Sequence, residues 1–210
     1  MKKIILLFLF SALLAPHSEL TAQVTQPGKL LFEAGIGIGI QHYQFTDLNT
    51  HLSNPRDTSG AVEIPLTFEY GIKKWFGAGM LCNFENYLHD STNHGSYKGF
   101  DLVPSVFFHI PWGLEKIDLY AHLGFGYTHF KFDANNSFGD VYAANGSVFN
   151  WGLTFRWLFS TDGHFGMHFW YSHDSYNYPH GELTDNFGNH EPFSLDGPGN
   201  NFGLGFFLRF

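Results

Sequence analysis

The stretch 171–177, Tyr-Ser-His-Asp-Ser-Tyr-Asn, holds the residue types best suited to covalent chemistry. His173 and Ser175 are two apart, and on an extended chain residues two apart share a face. An imidazole base and a hydroxyl on one face are the core of an acyl-transfer site, provided a third group orients the base. The carboxylates Glu182, Glu191 and Asp196 reach that face only if the long segment before the C-terminus folds back. Asn200 faces the right way but is not a carboxylate. A second set of residues is ionic: Glu33, Glu69, Asp118, Arg156 and Arg209 all sit among glycines on the less apolar side of alternating segments. A third set is histidine. The 13 histidines are scattered, with His51, His89, His94, His180 and His190 in polar tracts and His109, His122 and His168 in alternating ones. No HExxH-type spacing occurs, so neither a metal nor any other cofactor is expected. Cys82 is the only cysteine, which excludes a disulfide framework and a four-cysteine metal site.

The elements that position these residues are strands. Apolar residues alternate with small or polar ones in eight segments, 32–40, 62–72, 76–84, 100–110, 117–127, 149–157, 165–171 and 202–210. One face of each is bulky and apolar; the other carries glycine, carboxylate, arginine, serine or histidine. Connections near 73–75, 111–116 and 158–164 are short. Those near 46–60, 88–98, 131–146 and 173–199 read as long polar loops. Trp75, Trp112 and Trp157 fall beside the short turns, where an interfacial girdle belongs, and Tyr43, Tyr87, Tyr127 and Tyr171 lie near the opposite strand ends. A soluble barrel of the lipocalin kind hides its apolar face around a ligand; here the polar face is the narrow one. The pattern predicts an all-β fold, an eight-stranded antiparallel up-and-down transmembrane β-barrel with short turns on the periplasmic side.

Met1-Lys2-Lys3, the apolar run 4–14 and Ala22 form the layout of a secretory signal peptide, predicted as 1–22, with the barrel domain at 23–210. Loss of Lys2, Lys3 and Glu19 takes the formal charge from −8 to −9. A mildly acidic chain gives no surface for nucleic acid, which needs clustered Lys and Arg. The 25 phenylalanines and 24 glycines suit a lipid-facing wall around a tight interior.

The whole mature chain resembles the small barrels of the OmpA and OmpX type. The clearest element is the end, where Leu204, Phe206, Leu208 and Phe210 match the alternating, aromatic-terminated signal of outer-membrane proteins. The resemblance implies location in the cell outer membrane, insertion by the barrel assembly machinery, contact with outer-membrane lipids and lipopolysaccharide, and a monomer. The His173-x-Ser175 element is similar to that of the outer-membrane lipid A deacylases, in which the pair acts as base and nucleophile and an acid precedes the last strand. Tyr176 stands where that family has Asn, and Gly197-Pro-Gly-Asn-Asn201 where it has the acid.

Two charge pairings follow from strand order. Glu33 and Arg209 lie on the first and last strands, which meet when a barrel closes, and Asp118 faces Arg156 on adjacent strands. Together with Glu69 they predict a salt-bridged plug toward the periplasmic end, with a gate or proton path as the alternative; Glu63, Glu85 and Asp101 lie toward the outer end. The expected function is therefore structural or surface-interacting and non-enzymatic, with the lumen filled by side chains. The alternatives are a lipid A acyl-ester hydrolase using His173 and Ser175, and a narrow solute pore.

Overall fold

A computed structural model describes residues 25–88, 96–110, 116–134, 139–159 and 164–210. The predicted signal peptide, His89, His94 and Trp112 lie outside the described residues. The strands are β1 (Leu30–Asp47), β2 (Leu52–Ser53), β3 (Asp57–Lys73), β4 (Phe76–Leu88), β5 (Ser96–Ile110), β6 (Ile117–Asp133), β7 (Val141–Leu158), β8 (Phe165–Thr184) and β9 (His190–Arg209). Successive long strands pair antiparallel, and β1 pairs with β9, which closes the sheet into a ring. Strand β2 is two residues folded back on Thr46 and Asp47, an appendage of β1. Eight long strands thus form the wall.

Side-chain alternation sorts the wall into two surfaces. Ile36, Ile38, Ile40, Ile64, Phe68, Leu123, Phe125, Leu153, Phe169, Leu204 and Phe206 point out and are exposed, whereas Glu33, Glu63, Glu69, Asp101, Asp118, Arg156 and His168 point in and are buried. A water-facing surface of that size and apolarity is untenable, and lipid is the solvent that removes the penalty. Leu208 and Phe210 continue the outward row. Phe210 is held at the seam by backbone hydrogen bonds with Leu30 in both directions, 2.8 and 3.3 Å. Trp157 is outward and exposed, and Trp75 is half-buried beside Phe76 and under the Lys73 ammonium.

Two expectations need correction. Within the described residues, much of what reads as long outer loops is strand: the ladders run on, so that β8 and β9 are 20 residues each and meet in a turn at 185–189. Beyond the bilayer the outer face meets water, so the apolar alternation lapses there while the backbone bonds persist. In that turn Gly188 takes φ +76°, a left-handed conformation that costs glycine nothing. The Asn189 side-chain amide, together with the Asn189 and Phe187 backbone N–H groups, holds the Asp185 carboxyl below its usual range. The second correction concerns the tyrosines. Tyr127 and Tyr171 face out, but the Tyr87 ring is buried inside, 5.8 Å from Tyr43, so the outer ring of tyrosines is divided between the two surfaces.

Candidate functional site

Three layers of side chains fill the lumen, as eight strands require. The periplasmic layer is built on Arg156, which is fully buried. Its Nε donates to Glu33, its Nη2 to Glu69 at 2.7 Å and its Nη1 to Asp118 at 3.2 Å. The guanidinium lies 4.1 Å from the centroid of the Tyr120 ring, whose hydroxyl donates to Glu33 at 2.8 Å. His109 bridges Glu69 (2.7 Å) and Asp118 (2.9 Å). Thr25, from the segment before β1, is tucked under this layer, with its hydroxyl 3.2 Å from His109 Nδ1 and 3.3 Å from Arg156 Nη1. A planar fork meeting three carboxylates uses the geometry that distinguishes arginine from lysine.

The structure brings Asp118 and Arg156 together across β6 and β7, where they are register partners. It does not set Glu33 against Arg209. At the seam Glu33 faces Phe207 and Arg209 faces Leu31, and the Glu33 carboxylate turns across the lumen to Arg156. The expected pair is corrected because inward side chains of a narrow barrel meet across its axis as well as along the wall. His109 and Thr25 were not expected in this layer; the inward parity of His109 was visible, its partners were not.

The middle layer holds Glu63, Glu85, Asp101 and Asp174, all buried; Glu63, Asp101 and Asp174, with Glu33 and Tyr120 from the layer beneath, line a cavity of about 30 Å³. The outer layer is aromatic. Tyr87, Phe130, Tyr176, Tyr178, Phe193 and Leu195 form a buried cluster with Tyr43, Phe45, Phe132 and Tyr142 packed against it. Phe45 stacks on Phe193 at 5.0 Å and Phe132 on Tyr142 at 5.5 Å. Above these rings lies a second cavity of about 530 Å³, lined by Tyr43, Phe45, Phe130, Phe132, Tyr142, Phe193 and Leu195, with Asn54, Pro55 and Arg56 from the segment joining β2 to β3 and Asp57 from the start of β3.

On the outer surface, His173 is half-buried and Ser175 exposed, on one face of β8. Asn200 is the register partner of His173 on β9. Its Oδ1 lies 3.0 Å from His173 Nδ1 and accepts from the Tyr171 hydroxyl at 2.9 Å. The same arrangement occurs once more at this height. Asn145 Oδ1 lies 2.9 Å from His129 Nδ1 and accepts from the Tyr127 hydroxyl. Tyr-x-His facing Asn is therefore a repeated rim element, and on the outward face the two sites part at the next position, Ser175 on β8 against Lys131 on β6.

No protein-family model matches the chain, and no curated protein matches it. Solved structures do. The chain is similar to the outer membrane protein OprG from Pseudomonas aeruginosa, at 15% identity and TM-score 0.59 over 89% of this chain and 97% of that one. The fold is that of a small outer-membrane β-barrel. It is also similar to the outer membrane protein AlkL in lipid bilayers, at 12% identity and TM-score 0.54, covering 93% and 94%. A major outer membrane protein from Thermus thermophilus matches at 13% identity and TM-score 0.53, covering 86% and 99%. This barrel accords with the belt of outward apolar side chains, and the outer membrane is where the chain resides.

Proposed function

We propose that the protein is a sealed barrel with a structural and surface-interaction role, and that it receives an apolar or aromatic group of its ligand in the vestibule at the outer mouth. The observation that carries this reading is the contrast between the two cavities. The one inside the barrel has room for about a water molecule. The one at the mouth, about 530 Å³ and lined mainly by aromatic rings, is in the size range of small-molecule sites. Aromatic walls bury area with little loss of conformational freedom. Arg56 and Asp57 at the edge give the site charge to orient a polar end.

Calorimetric titration of the protein in lipid nanodiscs with a naphthoate probe tests the proposal. Phe193→Asp, which places a charge in the wall, is expected to weaken binding by at least about tenfold, because a buried unpaired charge is costly. Equal binding by wild type and variant would dismiss the vestibule. A steady conductance in a planar bilayer would instead return the pore reading.

A second reading is favoured by one contact. Asn200 supplies the group that orients His173, as an amide does in the Cys-His-Asn sites of other hydrolases. Ser175 then stands as nucleophile on the lipid-facing side, with an acyl ester of lipid A as substrate. The counterweight is His129 with Asn145, the same contact without a serine beside it. Mass spectrometry of lipid A from cells expressing the wild type or His173→Ala decides the matter. Loss of an acyl chain with the wild type alone establishes the hydrolase; identical lipid A in both removes it.

A further inference from the structure

The chain has 11 lysines and arginines. Among the described residues, Arg56, Lys98 and Lys131 are those of the outer half, and the others lie at the periplasmic end. Arg56 borders the vestibule. Lys98 and Lys131 stand on the outward face of the wall, both exposed, and are register partners on β5 and β6. The Cβ atoms of such partners are about 4.5–5.5 Å apart, and like charges placed directly opposite repel. Among the described residues neither lysine forms an ion pair. Asp133 stands one row further out on the same face of β6 and does not pair with either. Two unpaired ammonium groups held side by side, on a chain of formal charge −8, make a place for an anion.

The second observation is the surface beneath them. One row toward the bilayer, Phe100 faces His129, and the Phe84 ring of β4 lies 5.2 Å from that of Phe100. In the next row Leu102 faces Tyr127. Phe84, Leu102 and Tyr127 are exposed on the lipid-facing side. A tyrosine with an apolar ring and a polar tip marks the level of the headgroups. The four residues from Tyr127 to Lys131 rise about 13 Å along the strand, or about 10 Å of height at a tilt of about 40°. Lysine stems reach back from there to the interface. The opposite side of the barrel lacks this arrangement. There Ser175 takes the place of Lys131, and its register partners are Phe149 and Pro198.

We propose that Lys98 and Lys131 together bind one phosphate of a phosphorylated glycolipid of the lipid A type, whose acyl chains lie along Phe84, Phe100, Leu102 and Tyr127. The phosphate offsets the repulsion between the two ammonium groups, and the apolar rows below select a lipid over a free anion. One such lipid is held on the β4–β6 side of the barrel. The vestibule and the β8 rim have no part in the site, so this proposal and the two readings above can each fail alone.

The test is native mass spectrometry of the folded barrel in a neutral detergent, titrated with bisphosphorylated lipid A and with the same lipid stripped of its phosphates. The expected result is one phosphorylated lipid per barrel, held about fivefold more weakly by Lys98→Gln or Lys131→Gln and about 25-fold more weakly by the double variant, given the worth of one basic residue at a charged lipid surface. Lys74→Gln, at a periplasmic turn, should leave the affinity unchanged. The phosphate-free lipid should bind weakly, and equally to wild type and double variant, because the cycle between lysines and phosphate then has nothing to couple. Folding of each variant is checked by its gel mobility before and after boiling, and the comparison of the two lipids on the wild type needs no variant. Equal binding of the two lipids by the wild type would overturn the proposal. So would a double variant that binds the phosphorylated lipid as the wild type does, or a loss of the same size in Lys74→Gln. Inorganic phosphate that displaces the lipid at equal concentration would show a site for a free anion and overturn it as well.

Discussion

Replacing Arg156 by leucine is expected to destabilise the barrel by about 3–5 kcal/mol, the range for breaking a buried ion pair from one side. The argument rests on what stays behind. Glu33, Glu69 and Asp118 lose their shared guanidinium, and among the described residues the ring nitrogens left beside them belong to His109, on Glu69 and Asp118, and His168, 3.8 Å from Glu33. Arg156→Lys restores the charge but not the fork: one ammonium does not reproduce Nε, Nη1 and Nη2 contacts to three separate carboxylates. It should therefore recover only part of the loss. Urea titration in micelles, read as the folded and unfolded bands of an unboiled gel, measures both. A cycle combining Arg156→Leu with Glu33→Gln and Asp118→Asn should regain stability relative to Arg156→Leu alone, because removing both sides of a buried pair costs less than removing one. A loss under about 1 kcal/mol for Arg156→Leu would mean that the layer is hydrated and only loosely coupled.

The wall was legible in the sequence because its two faces meet different solvents. Ile36, Ile38 and Ile40 alternate with Gly35, Gly37 and Gly39 over a stretch where one side is lipid and the other a lumen too narrow for bulk, and a period of two follows. The outer storey obeys the same geometry with the chemistry inverted. On β1 the inward parity that carries Glu33 and Gln41 carries Tyr43 and Phe45 next, while the outward positions become His42 and Gln44. On β8 the parity of Ser172 and Asp174 continues through Tyr176 and Tyr178. This change of face at constant parity was the available sign that the ladders continue past the bilayer; polar composition alone makes the same residues look like loops.

The lumen was less legible for a different reason. Asp118 opposite Arg156 is a neighbour relation along the sheet, which strand order supplies. Arg156 with Glu33 and Glu69 spans the barrel axis, and that depends on strand stagger and side-chain reach, neither of which is written in a period. The middle layer shows the same limit. Asp174 stands within the segment that drew attention for His173 and Ser175, yet it points the other way and joins Glu63 and Asp101. A sequence reading that treats 171–177 as one cluster merges two sites separated by the thickness of the wall.

Gly37→Val is expected to cost stability by about 1–3 kcal/mol or more, as overpacking of a filled interior does, and to slow closure of the barrel. The position is on the seam, where β1 meets β9 and Gly37 faces Gly203. A Cβ at Gly37 would stand 2.4 and 2.7 Å from the edge of the Trp170 indole, and one at Gly203 would stand 2.8 Å from the same ring. The two glycines thus form the recess that admits the largest side chain of the inner face, and the indole in turn lies along the joint between the first and last strands. The cost arises from contact with a rigid ring and with the Phe202 carbonyl, 2.9 Å from the added carbon, not from backbone strain, since Gly37 has an ordinary extended conformation. In a Trp170→Ala background the ring is gone, so the added cost of Gly37→Val should fall to what the carbonyl contact alone imposes. Urea midpoints of the four proteins, with refolding rates followed by tryptophan fluorescence where Trp170 is kept and by gel mobility throughout, give the coupling. Independent effects at the two positions would refute the recess, and with it the view that glycine at the seam serves packing between the closing strands.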